Sequence, residues 1–156
     1  MDSVSSKVKI AFVFENVVID GPALTEPWQA YLRVVGDFRI QVGGVALYEE
    51  EQFCLVEFAI QSQIWSRAAA GEPQDFTYTS MEAEQPGLVW FRLEQGGWKV
   101  GSVFQERDCS ELFSLGEISG ALDDYYEKLR RGVNEGFHVD IAGLFAWSGA
   151  RPGLIG

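Results

Sequence analysis

Basic residues, histidine and cysteine are all scarce in this 156-residue chain. Twelve Lys and Arg stand against twenty-three Asp and Glu, a net charge of -11. Phosphate backbones are gripped by clustered Lys and Arg, so this balance argues against nucleic acid as a direct partner and against anionic membrane surfaces. Two cysteines, Cys54 and Cys109, are too few for a disulfide framework and read as reduced thiols. One histidine, His138, with two distant thiols offers no metal-ligand spacing. The apolar runs, such as Ile10 to Phe14, are of strand length, far short of a membrane span. No basic segment followed by an apolar stretch marks the start, so a cytoplasmic protein is the expectation.

Catalytic signatures are lacking as well. No nucleophile-elbow pattern surrounds either cysteine, and His138 falls in a loop-like stretch, where a surface or capping role is the expectation. Gly43-Gly44 and Gly96-Gly97 lie inside alternating runs without a following helix, so they read as turns and not as a phosphate cradle. Glu49-Glu50-Glu51 alternate across a strand, and Asp123-Asp124 diverge by about 100° around a helix, so neither set converges as an acid-base pair. No cofactor is implied. What the acids can do collectively is steer and hold a basic partner.

What is present is the hydrophobic content of a folded domain, 47% against 22% charged. Alternation marks a strand from Val8 to Val18, with Val8, Ile10, Phe12 and Phe14 on one face. Extended character is expected again from Trp28, through Tyr31–Val35 and Phe38–Val42, with a bulge at Gly36-Asp37. If Gly43-Gly44 is the hairpin turn, Val42 faces Val45, Ile40 faces Leu47 and Phe38 faces Glu49. Arg39, Gln41, Ala46, Tyr48 and Glu50 then lie on the wet face.

Leu55–Ala70 is free of Gly and Pro and ends at Gly71, which predicts a helix. Its two apolar rows, Val56-Ile60-Ile64-Ala68 and Phe58-Trp65-Ala69, require either a clamp between two layers or a partner. Phe76–Ser80 is a short strand, and Gln85-Pro86-Gly87 is a turn. Leu88–Glu94 and Trp98–Phe104 form a second hairpin. Turning at Gly96-Gly97 would put Leu93 opposite Val100 and Glu94 opposite Lys99, with Trp90 on the outer face. Ser114-Leu115-Gly116-Glu117 has capping-box spacing. The helix that it opens buries Ile118, Leu122, Tyr125, Leu129 and Val133 and pairs Asp124 with Lys128 and Glu127 with Arg131. A further helical turn is read at Asp140–Phe145.

These elements predict an α+β fold. About six strands in two hairpins make a mostly antiparallel sheet, with two main helices packed against it. One domain spans 1–147, and 148–156 is a flexible tail.

Asp37-Phe38-Arg39-Ile40-Gln41-Val42-Gly43-Gly44, then Leu47-Tyr48-Glu49-Glu50-Glu51 and the helix from Val56-Glu57-Phe58-Ala59 to Trp65, form a pattern similar to small bacterial domains of the immunity-protein type. Such domains are carried beside polymorphic or contact-dependent toxins. The resemblance implies a non-enzymatic acidic protein that binds a cognate toxin and blocks its active site. A basic toxin domain is then the expected partner. The candidate binding residues are Tyr48, Glu49, Glu50, Glu51, Trp90, Asp123, Asp124, Tyr126 and Glu127, with Tyr48, Trp90 and Tyr126 as aromatic anchors. A homodimer is compatible with the same features. Two other classes stay open: a small-molecule or carbohydrate-binding module stacking its ligand on Trp28, Trp90 or Trp98, and an enzyme whose site follows no recognised pattern.

Overall fold

The computed structural model describes residues 8–80 and 87–145. The expected turn residues Gln85 and Pro86 and the tail 148–156 lie outside that range. The described chain is α+β. Strands β1 (Ile10–Ile19), β2 (Val34–Val42) and β3 (Val45–Cys54) form one antiparallel sheet in that order. Strands β4 (Phe76–Tyr78), β5 (Val89–Glu94) and β6 (Gly97–Gly101) form a second. The helices are a single turn, α1 (Ala30–Arg33), and the longer α2 (Leu55–Ala69) and α3 (Leu115–Phe137). Short 3-10 turns at Pro27–Gln29 and Ile141–Gly143 complete the elements.

Helix α2 is clamped between the sheets, which answers its two apolar rows. Phe58 meets Phe12 and Phe38 of the first sheet and Phe76 and Tyr78 of the second. Trp65, seven residues on, packs against Phe76, Phe91 and Trp98. Both are buried, so the second row is core rather than a partner face. Helix α3 lies against β1 and α2. The expected Ile118, Leu122, Tyr125, Leu129 and Val133 are its buried residues. Tyr125 touches Phe14, Phe38 and Phe58, and its phenol donates to the Leu55 carbonyl at 2.8 Å. The capping box closes in both directions: Glu117 N–H donates to Ser114 Oγ at 3.0 Å, and Ser114 N–H to Glu117 Oε1 at 2.9 Å.

Three expectations are corrected. The chain from Trp28 is helical before it is extended. Gln29 Oε1 accepts from the Glu26 and Thr25 amides, which holds the first turn that Pro27 begins. The first hairpin turns where expected, with Gly43 at φ 63° and Gly44 at φ 80° and Val42 opposite Val45. Leu47 is then bulged, so Ile40 faces Tyr48, Phe38 faces Glu50, and Leu47 and Tyr48 are both buried. That one-residue slip moves Tyr48 from the wet face into the core. The second hairpin turns one residue earlier than expected, at Gln95-Gly96. Leu93 therefore faces Trp98, Phe91 faces Val100, and Lys99 faces Arg92 instead of Glu94.

Candidate functional site

Pairing of β1 with β2 sets Glu15 directly opposite Asp37, and pairing of β2 with β3 sets Arg39 opposite Glu49. Phe12, Phe38 and Ile40 point inward, so the alternating Asp37 and Arg39 point outward. Like charges opposed across a ladder are unfavourable. Here they are eased by neighbours: Arg39 Nη1 reaches Glu15 Oε1 at 2.9 Å, and Asn16 Nδ2 donates to Asp37 Oδ2 at 2.7 Å. A groove of about 290 Å³ results, lined by Glu15, Asp37, Arg39, Glu49, Glu50 and Glu51.

All three residues of the glutamate triplet line this groove, contrary to the expectation from strand alternation. Strand β3 is an edge strand, and its register slips between Gly36 and Phe38, where Gln52 adopts φ 54°. At a bulged edge, neighbouring side chains no longer separate strictly onto two faces. Glu50 also accepts the Tyr48 phenol at 3.2 Å. Burial, and next the Glu50 charge, hold that phenol far above its usual ionisation range. Glu15 and Asp37 were missed from sequence because they join the triplet only through strand pairing.

Asp123, Asp124, Tyr126 and Glu127 lie on α3, and they do not join the groove. Tyr125, on the buried side of α3, packs against the inner face of the first sheet, whereas Asp37 and Arg39 occupy its outer face. The two acidic clusters are thus on opposite sides of that sheet. The α3 acids are also matched locally. Asp124 pairs with Lys128 at 3.3 Å, and Asp123 accepts from Gln63 at 3.0 Å. Glu127 pairs with Arg130 at 3.1 Å rather than with Arg131, and that hydrogen bond lowers its pKa. Tyr126 is half-buried against Phe145, which also lies under the Arg67 guanidinium.

Two of the expected anchors are inside the protein. Tyr48 is wholly buried by the Leu47 bulge. Trp90 does lie on the outer face of its sheet, but it packs over Gly101 opposite and under the Arg92 guanidinium, 3.9 Å from its ring, which leaves it buried. Trp98 is buried against Trp65, so among the proposed stacking platforms Trp28 alone is exposed. His138 caps α3 in the left-handed conformation, φ 58°, its N–H donating to the Asn134 carbonyl. Cys54 and Cys109 are buried and not joined in a disulfide. Among the described residues no group of three His, Cys, Asp or Glu is placed to hold a metal ion, and no helix is long and apolar enough to cross a membrane.

A buried polar cluster was also missed. Glu57, in the first turn of α2, is fully buried and accepts the Tyr78 phenol at 2.7 Å. Ser80 Oγ donates to Cys54 Sγ at 3.7 Å beside it. Burial, with the nearby Glu57 charge second, raises the Tyr78 pKa well above the usual phenol value. The available signal was a lone acid inside Leu55-Val56-Glu57-Phe58-Ala59-Ile60. A carboxylate there also faces the positive end of the helix.

No curated protein and no solved structure matches this chain. A family model matches residues 12–135, from near the start of β1 nearly to the end of α3, and the chain belongs to that family, a domain of unknown function (DUF7878).

Proposed function

We propose that this protein is a non-enzymatic binding protein that receives a basic protein partner in the acidic groove of its first sheet, in the manner of an immunity-type inhibitor. The observation that carries the reading is the gathering of five carboxylates from three strands around one guanidinium. Glu15 and Asp37 face each other across the ladder, and the one guanidinium and one amide beside them leave the groove with unbalanced negative charge. A surface field of this kind accelerates encounter with a cationic cleft and falls off with salt. With Tyr48 and Trp90 buried, the partner supplies the projecting side chains, and Lys or Arg from it enter the groove.

The test is affinity capture from the host lysate, or with the product of the neighbouring gene, followed by association kinetics over a salt series. Neutralising the groove with Glu49→Gln and Glu51→Gln should lower the association rate constant by about tenfold at low salt and leave the dissociation rate constant nearly unchanged. A partner whose association rate ignores both salt and these substitutions would overturn the proposal.

A further inference from the structure

A second groove, of about 440 Å³, runs on the other side of the molecule between α2 and β4. It is lined by Gln61, Ile64 and Trp65 of the helix and by residues 74–77. Phe76 is buried and Thr77 exposed, so they point to opposite faces of their sheet. A groove that both of them line follows the edge of the strand and not one face. Among the described residues no strand pairs with that edge, because β4 is the outermost strand of its sheet.

The ladder fixes which backbone groups face the groove. The two-residue turn at Gln95-Gly96 makes Glu94 and Gly97 a hydrogen-bonded pair, so Trp90 and Arg92 also bond toward β6. Val89, Phe91 and Leu93 then bond the other way, as Leu93 N–H does in donating to Asp75 Oδ1 at 2.8 Å. Phe76 and Tyr78 are therefore the hydrogen-bonded partners of β5, and Thr77, opposite Trp90, turns its N–H and C=O outward. Beside this edge, Gln61 Nε2 is buried without a hydrogen-bond partner. An orphaned buried donor is costly, so a turn of the Gln61 amide toward an acceptor arriving in the groove would remove that cost. Trp65 is fixed by its Nε1–H bond to the Gln74 carbonyl at 2.7 Å, and with Ile64 it gives the groove an apolar wall. Asp75 is the one charged residue in the lining.

We infer that this groove binds an extended peptide carrying a Lys or Arg side chain, which adds as a strand to the edge of β4. The peptide backbone pairs with Thr77 N–H and C=O, one of its carbonyls accepts from Gln61, and its basic side chain meets Asp75. Edge addition beside a helix gives affinity through main-chain bonds and selectivity through side-chain pockets. This site is independent of the acidic groove, from which the first sheet and α2 separate it.

The probe is a library of capped heptapeptides with alternating Val and Lys or Val and Glu, scored by amide chemical shifts on the labelled protein. Lys-containing members should shift Thr77 and the Gln61 side-chain amide and slow exchange of the Thr77 N–H. Thr77→Pro removes the outward N–H at an edge position where proline is tolerated, and it should weaken binding by about tenfold or more with the melting temperature preserved. Gln61→Leu should weaken it also, whereas Glu49→Gln should not, which separates this proposal from the acidic groove. Peptides that bind equally well to Thr77→Pro, a preference for the Glu series, or shifts caused by simple saccharides and by no peptide would overturn the inference.

Discussion

Replacing Trp65 with alanine should destabilise the protein by about 3 kcal/mol, the lower end of the range for buried tryptophans. The side chain is 8% exposed and its ring lies 5.0–5.7 Å from those of Phe91, Trp98 and Phe76. Truncation removes these contacts and leaves the Gln74 carbonyl without its 2.7 Å donor. Two effects oppose each other. Lost packing across the sheet-helix interface argues for a large penalty, but Trp65 borders the β4 groove, so water can enter the space that the indole leaves. A hydrated space costs less than a sealed void, which is why the low end is expected. For a chain of this length the change corresponds to a melting-temperature drop of roughly 6–12 °C. Trp65→Phe keeps most ring contacts and loses chiefly the N–H bond, so it should cost about 1 kcal/mol. Urea unfolding followed by far-ultraviolet circular dichroism measures both, the midpoint moving while the slope stays constant. A loss under about 1 kcal/mol for Trp65→Ala would refute the placement of this row in the core.

Gly101→Ala places a Cβ within van der Waals overlap of Trp90 Cζ2 and Cη2 and of Gln105 Oε1. Gln105 can swing away, but Trp90 is held under Arg92, so a loss of about 1–3 kcal/mol is expected in the same unfolding assay, with a change in the tryptophan near-ultraviolet signal. Burial raises the phenol pKa of Tyr48, Tyr78 and Tyr125 above the ordinary 10.0. Their protonated forms therefore contribute stability that is complete below pH 10 and is lost as pH rises above it. Ultraviolet titration should show these phenolates appearing together with unfolding, and independent ionisation of all tyrosines near pH 10 in the folded protein would contradict their burial.

The long helices were legible because their signals are local. The capping box at Ser114 and the 3.6-residue spacing up to Val133 identify the buried face of α3 without reference to any other element. The start and breadth of α2 follow from Leu55 and the two rows through Phe58 and Trp65. Helix α1 was hidden because it is one turn long and carries Tyr31 and Leu32, residues equally at home in a strand. The hairpins show a different limit. Alternation identifies strands, but a bulge inverts every face beyond it, and a turn displaced by one residue keeps the faces while shifting every cross-strand pair by two. The Leu47 bulge did the first and decided the burial of Tyr48, and the Gln95-Gly96 turn did the second and decided the partner of Lys99.

Charge was legible in amount and not in arrangement. Counting acids along the chain weights Asp123-Asp124-Glu127 and Glu49-Glu50-Glu51 equally. Folding separates them, because Lys128, Arg130 and Gln63 meet the first set, while strand pairing adds Glu15 and Asp37 to the second and supplies only Arg39 against them. A field that can steer a partner depends on that unbalanced set, since matched surface pairs are worth little and are screened within about a Debye length. Long-range pairing of β1 with β2 is therefore the step that turns a generally acidic composition into a directed acidic surface.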